Sequence, residues 1–134
     1  MIVVLCGPIK AWWDEWGSQR HQEYTAWRDA LSDALVDAGH LVYRPHEGFK
    51  GKWTEAAQRV NDVAIEVADV VLNLTPPGVP SDGTDAEMLH ARWLARQVFN
   101  APPPPRHACR IATLLEALRA YEVARKRFSD ALGS

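Results

Sequence analysis

The sequence predicts an α/β fold: a flavodoxin- or Rossmann-like open, mostly parallel sheet with helices on both faces and a long C-terminal helix. Three observations carry this expectation. Short apolar runs of strand character alternate with stretches of helical period, the order that builds βαβ units. The first run, Ile2 to Cys6, is apolar and mostly β-branched, as a strand covered on both faces must be. Turn chemistry, Gly7-Pro8 after the first run and Pro76-Pro77-Gly78 after the third, sits where a strand would hand over to a helix.

Ile2 to Cys6 reads as the central strand. Ile9 to His21 has no clean period, mixing Lys10, Trp12, Trp13, Asp14, Glu15, Trp16, Gly17 and Ser18, and is expected to be a loop over a site. From Tyr24 the period is helical, with Trp27, Leu31, Leu35 and Ala38 spaced along one face and Gly39 placed to end the helix. Leu41-Val42-Tyr43 is a second strand stopped by Pro45, and His46 to Lys52 is a glycine-bearing loop. Thr54 suits the N-cap of a second helix, whose buried stripe is expected at Ala57, Val60, Ala64 and Val67, with Arg59, Asn61, Asp62 and Glu66 on other faces. Asp69 to Leu74 is the third strand. Beyond the turn Thr75 to Pro80, a third helix is expected from around Thr84, with Met88, Ala91, Leu94 and Ala95 as its apolar positions. Val98-Phe99 begins a short fourth strand. The run Pro102 to Pro105 interrupts the chain because prolines have no N–H to give a ladder. From Ala108 to around Leu132 the sequence is helical in composition, with Ile111, Leu115, Leu118 and Phe128 at helical spacing.

The length, 134 residues, is that of one domain, with an α/β core over 1–100 and a helical segment over 106–132. A composition of 47% hydrophobic and 24% charged residues with a net charge of -2 is that of an ordinary globular protein and offers no basic excess for a nucleic acid. No apolar run approaches the roughly 20 residues of a membrane span, and no basic leader precedes the first strand, so a cytoplasmic location is expected. Cys6 and Cys109 lack paired spacing, which gives neither a disulfide framework nor a zinc site; Cys6 reads as a small core residue. No metal or cofactor is expected. Six tryptophans are many for this length, and Trp12, Trp13 and Trp16 crowd one segment.

The stretch with the clearest chemical potential is Ser81-Asp82-Gly83-Thr84-Asp85-Ala86-Glu87. It places small, polar and acidic residues where the third strand yields to a helix, and in open parallel sheets ligands bind at the carboxyl ends of the strands. Unpaired N–H groups in a helix's first turn attract anions. Glu87, expected inside that first turn, would be kept ionised by the helix dipole and available as a nucleophile or base.

Taken together, Leu5-Cys6-Gly7-Pro8-Ile9-Lys10 after the first strand, Ala68-Asp69-Val70-Val71 opening the third, and Ser81 to Glu87 leading into a helix resemble the nucleoside 2-deoxyribosyltransferase superfamily. Within it, the chain is most similar to the nucleoside 5′-monophosphate N-glycosidase branch. The match spans roughly the first hundred residues, in the family's order. The resemblance implies a flavodoxin-like fold and a glutamate, here Glu87, that attacks C1′ of the sugar. The chemistry is that of a retaining glycosidase, in which a second acidic group assists departure of the base. The family's helix aspartate corresponds in kind to Asp62, although the interval from Asp62 to Asp69 is one residue shorter than in the family. Asp69 is the other candidate, and equally the polar residue that opens a strand.

Ser81, six residues before the glutamate, occupies the position where nucleoside transferases carry an aspartate and monophosphate hydrolases a serine. A carboxylate there would repel a phosphate and a hydroxyl would not. Asp82 lies one residue away and would restore the transferase pattern on a shift of one. The resemblance further implies substrate contacts from Gly7, Pro8, Ile9 and the basic Lys10, from Gly83 and Thr84 at the helix start, and from His46 at the end of the second strand. Trp12 and its neighbours are either an aromatic wall that stacks on a nucleobase or a subunit contact. Val4 stands where many relatives have a tyrosine. The expected reaction is hydrolysis of a nucleoside 5′-monophosphate through a covalent glutamyl-sugar intermediate. Base exchange on nucleosides and nucleotide binding without turnover are the alternatives. The expected partners are a small-molecule nucleotide or nucleoside and, as in relatives, a second copy of the chain in a homodimer or larger assembly.

Overall fold

The computed structural model describes residues 1–7, 10–44, 54–75, 82–102 and 109–133, with side chains described throughout except at 10–21, 82 and 109. Two compact units divide the chain, Met1–Pro103 and Pro104–Ser134. The first holds β1 (Ile2–Cys6), α1 (Lys10–Asp37), β2 (Leu41–Tyr43), α2 (Glu55–Val67), β3 (Val70–Asn73), α3 (Asp82–Trp93) and β4 (Gln97–Asn100). The second is the long helix α4 (Cys109–Gly133). No helix is long and apolar enough to cross a membrane among the described residues.

All four strands are parallel, in the order β2-β1-β3-β4. The crossover after β1 leads to one side and the crossover after β2 to the other, so the strand order reverses between β1 and β3. That reversal opens a crevice at the carboxyl edge of the sheet, where open α/β proteins place ligands. Register rows run straight across the sheet. Tyr43, Val4, Val71 and Val98 form one row, and Cys6, Asn73 and Asn100 form another at the carboxyl edge.

Alternation along the strands sends these rows to one face, where Val4, Cys6 and Val71 pack with Ile65 and Ala68 from the α2 segment and Met88 and Ala91 of α3. The intervening residues Val3, Leu5, Val70 and Leu72 face the other way and are equally buried, as are Tyr24, Trp27, Leu31 and Leu35 along one stripe of α1. Trp27 Nε1–H donates to the Ala101 carbonyl at 3.0 Å, pinning α1 to the chain leaving β4. Coverage of both faces is the reason β1 and β3 are apolar without alternation.

Local signals explain most element ends. Thr54 Oγ1 accepts from the Ala57 amide at 3.1 Å and caps α2. Gly39, at φ 93, ends α1, with the His40 amide returning to the Leu35 carbonyl at 3.0 Å. The same closure follows α3, but there the left-handed residue is Ala95, at φ 55.

Three expectations are corrected. The segment expected as a loop from Ile9 to His21 is, from Lys10 onward, the first half of α1, a helix of 28 residues. No proline interrupts Lys10 to Asp37, and a helix already anchored by its buried second half extends through Gly17 for about 1 kcal/mol. Next, α3 starts at Asp82 rather than near Thr84. Finally, the inward stripe of α2 is Ala57, Asn61 and Ile65, while Val60 and Val67 are exposed. A polar residue turns inward there because β2 supplies it with a partner.

Candidate active site

Cys6 and Gly7 at the end of β1, Asn73 to Thr75 at the end of β3, and α3 border the crevice between β1 and β3. The Leu74 amide donates to the Cys6 carbonyl at 2.7 Å, carrying the pairing past the end of the strands. Asn73 Oδ1 then accepts the Thr75 amide at 3.0 Å, an Asx turn that bends the chain out of β3. Gly7 is required by close approach: a Cβ built on it would lie 1.9 Å from the Tyr24 hydroxyl oxygen. That hydroxyl reaches from α1 to the strand's end and is buried, and Tyr24 therefore belongs to the crevice although nothing in its sequence context marks it.

Glu87 is on the inner arc of α3 with Thr84, Met88 and Ala91, and is 6% exposed. Since α3 begins at Asp82, Glu87 falls in its second turn. The helix dipole acts mainly within the first turn, so burial outweighs it. Loss of water pushes the Glu87 carboxyl above the usual glutamate range; a hydrogen bond with Cys6 counteracts this, and the charge of Asp62 adds to it. The expectation that the dipole keeps Glu87 readily ionised is thereby reversed. Burial, with Glu87's charge and hydrogen bond adding to it, likewise pushes the Cys6 thiol well up. Burial also raises the Tyr24 hydroxyl, with Arg28 opposing and Cys6 and Glu87 reinforcing.

Around this carboxyl, β2 and α2 supply further polar groups. The Tyr43 hydroxyl donates to Asn61 Oδ1 at 2.9 Å, and its own ionisation is opposed by burial and then by the charges of Glu87 and Cys6. Asn61 is 1% exposed, and its Nδ2 has no hydrogen-bond partner among the described residues. Asp62, one residue on, is half-buried and accepts from Gln58 Nε2 at 3.0 Å across one helical turn. The structure thus brings Glu87, Asp62, Cys6, Tyr43 and Asn61 into one neighbourhood. Tyr43 is the register partner of Val4, so a phenol enters from β2 beside Val4 of β1. Reading α2 from its apolar residues alone missed Asn61.

Asp69 is not part of this neighbourhood. Its Oδ2 accepts the Ile2 amide at 2.7 Å at the amino edge of the sheet, about 13 Å of strand away from Cys6. Thr84 is buried on the inner face of α3, whereas Gly83 is exposed, and no atom of the described residues comes within 4 Å of the place of a Cβ. Asp82 opens α3, and Lys10 and Trp12 belong to the first turn of α1. Pro8, Ile9, His46 and Ser81 lie outside the described residues. No group of three or more His, Cys, Asp and Glu side chains placed to hold a metal ion occurs among the described residues.

No family model matches the chain, and no curated protein matches its sequence. Among solved structures the chain is similar to the CMP N-glycosidase BcmB of Clostridium botulinum. The TM-score is 0.54 and the identity 18%, with 75% of this chain and 67% of that chain covered. This likeness is one of fold. It defines the class: a Rossmann-like α/β protein built on a four-stranded parallel sheet.

Proposed function

We propose that the chain is an N-glycosidase that hydrolyses the bond between base and sugar in a nucleoside 5′-monophosphate. The observation that carries this reading is the buried Glu87 carboxyl at the switch-point crevice, with the charge of a second carboxylate, Asp62, acting on it. Two carboxyl groups with different environments are what retaining glycoside hydrolysis needs. The fold shared with a CMP N-glycosidase supports the same choice.

In this mechanism the ionised Glu87 attacks C1′. A carboxylate–C1′ ester bond forms as the C1′–N bond breaks, and the bond's electrons leave with the base, which takes a proton from a water molecule held by the Asp62 carboxylate. The hydroxide left by that proton transfer then attacks C1′, the C1′–O bond to Glu87 breaks, and the sugar phosphate leaves with the Glu87 carboxylate regenerated. Burial of Glu87 keeps bulk water from its anion and leaves it poorly solvated, hence reactive. We assign the 5′-phosphate to Lys10, Ser81 and the first-turn N–H groups of α3, with Gly83 and Thr84 in that turn, and keep Asp82 for the alternative in which the substrate is a nucleoside without a phosphate. Contacts to the sugar and base are assigned, on the resemblance alone, to Gly7, Pro8, Ile9, Trp12 and His46.

The test is a chromatographic screen for free base released from the common ribo- and deoxyribonucleoside 5′-monophosphates. Wild type is expected to release base and Glu87→Gln to release none. Equal release by both proteins would sink the proposal. Addition of a free base separates hydrolysis from exchange, because exchange yields a new nucleoside. Tight nucleotide binding with no product over long incubation would assign the site to binding alone.

A further inference from the structure

We propose that Asn61 is a specificity-determining residue that holds the 2′-hydroxyl of a ribose, so that the substrate is a ribonucleotide in preference to its 2′-deoxy counterpart. The inference deepens the reading of Glu87 as the nucleophile at C1′ and rests on it. Asn61 is fully buried on the inner stripe of α2. Its Oδ1 accepts the Tyr43 hydroxyl at 2.9 Å, which fixes the plane of the amide. Nδ2 is buried too, yet has no hydrogen-bond partner among the described residues. Seating Tyr43 requires only the carbonyl half of the amide. A donor that has lost water and gained nothing destabilises the fold, and a structure keeps one where a ligand arrives to accept from it.

The place of this donor determines which atom it meets. Because α2 joins two parallel strands, it runs back against them, and Asn61 lies about 9 Å of helix before its end at Val67. That brings Asn61 to the carboxyl half of the sheet, where Tyr43 ends β2. Ile65, one turn further along α2, packs in the cluster that holds Cys6 and Met88, and Tyr43 packs against the same cluster. Met88 adjoins Glu87 on α3. Asn61 and Glu87 therefore approach the crevice from the same face of the sheet. In a displacement at C1′, the carboxylate enters from the side of the sugar opposite the departing base. The 2′-hydroxyl of a ribonucleotide projects from that same side, on the carbon next to the one attacked. A donor beside Glu87 hence meets the hydroxyl oxygen and not the base. A deoxyribose has only hydrogen there, and Nδ2 would stay unpaired in the complex.

The experiment measures release of one base from a ribonucleoside 5′-monophosphate and from its 2′-deoxy counterpart, the base being whichever wild type releases fastest. Wild type is compared with Asn61→Leu, which keeps the volume and removes the amide, and with Tyr43→Phe, which keeps the amide and removes the donor that orients it. In kcat/KM, wild type is expected to favour the ribonucleotide by about 10²-fold. That preference should fall to within about threefold of unity in Asn61→Leu, and by roughly tenfold in Tyr43→Phe. A general loss of folded protein cancels in the ratio, because both substrates meet the same sample. A wild-type ratio near one, or one favouring the deoxyribonucleotide, assigns Nδ2 to a water and overturns the proposal. So does an unchanged ratio in Asn61→Leu or, should that variant not fold, in Tyr43→Phe. A second readout needs no turnover: by calorimetry, Glu87→Gln should bind the ribonucleotide roughly tenfold more tightly than the deoxyribonucleotide, and addition of Asn61→Leu should abolish the difference. If wild type releases no base from any nucleotide, the glycosidase reading fails, while this difference in affinity still decides the role of Asn61.

Discussion

At the amino edge of the sheet, Asp69 spends its carboxylate on the Ile2 amide at 2.7 Å and ties the first strand to the third. At the carboxyl edge, Glu87 is nearly as buried as the core, and its charge is opposed first by that burial and also by Asp62, with Cys6 counteracting. Both are acidic residues next to a strand of the same sheet. The first hydrogen-bonds a backbone amide across the sheet, and the second is desolvated near another carboxylate, which opposes its charge. Perturbed carboxyl groups in clefts tend to be functional for this reason.

Substitutions at the two edges should separate these roles. The largest effect is expected from Glu87→Gln, which should lower base release by at least about 10³-fold, measured by chromatography under saturating nucleotide. The same variant should be more stable than wild type at neutral pH. The sign follows from the raised ionisation of Glu87 in the folded state: the folded protein holds that proton more tightly than the unfolded chain. Wild-type stability contributed at this site is therefore full below the ordinary glutamate range and is lost as pH rises through the folded value. Denaturant melts across pH should show the advantage of Glu87→Gln shrinking as the solution is acidified. By contrast, Asp69→Ala should lower stability by about 1–3 kcal/mol with base release intact, a result that would invert if the amino-edge carboxylate were catalytic.

Next in size is Asp62→Asn. Base departure should slow by about 10²-fold or more if Asp62 assists the leaving group. Removal of its charge should also move the acid-side midpoint of kcat/KM to lower pH, since that charge holds the Glu87 carboxyl up. At Gly7, alanine places a Cβ 1.9 Å from the Tyr24 hydroxyl, so Gly7→Ala should cost about 1–3 kcal/mol. In a Tyr24→Phe background the nearest Tyr24 ring atom is 3.1 Å away, and much of that loss should vanish in a double-mutant cycle. The smallest effect tests the turn between α3 and β4, at the amino edge. Ala95, at φ 55, closes α3 in a backbone conformation that suits glycine, and Ala95→Gly should raise the melting temperature by an amount matching about 1 kcal/mol.

Much of this architecture was legible from residue order. The apolar run Ile2 to Cys6 and the triplet Leu41 to Tyr43 are strands over those residues, Thr54 is the N-cap and Gly39 the terminator, because each signal acts over a few neighbouring residues. Less was legible where a distant partner decides. Asn61 faces inward because Tyr43, from another element, receives it, and counting apolar residues along α2 points to the wrong stripe. The polar half of α1 carries mixed local preferences that the anchored half of the helix overrides. Glu87 was visible as a candidate, but its electrostatic state was not: a helix start argues for a stable anion, and only the packing of Cys6 and the placement of Asp62 reveal an ionisation opposed by burial.

The sequence by itself therefore determined the alternation of strands and helices, the glycine and threonine punctuation, and the family-like spacing that singled out Glu87. Those properties depend on local backbone preference and on the period of apolar residues. Tertiary structure alone decided which acidic residue meets Glu87, which polar side chain of α2 turns inward, and that Asp69 and Glu87 stand at opposite edges of the sheet. The physical reason is that desolvation and charge–charge coupling depend on distance in space, and parallel pairing of β1 with β3 brings together groups that the chain itself keeps far apart.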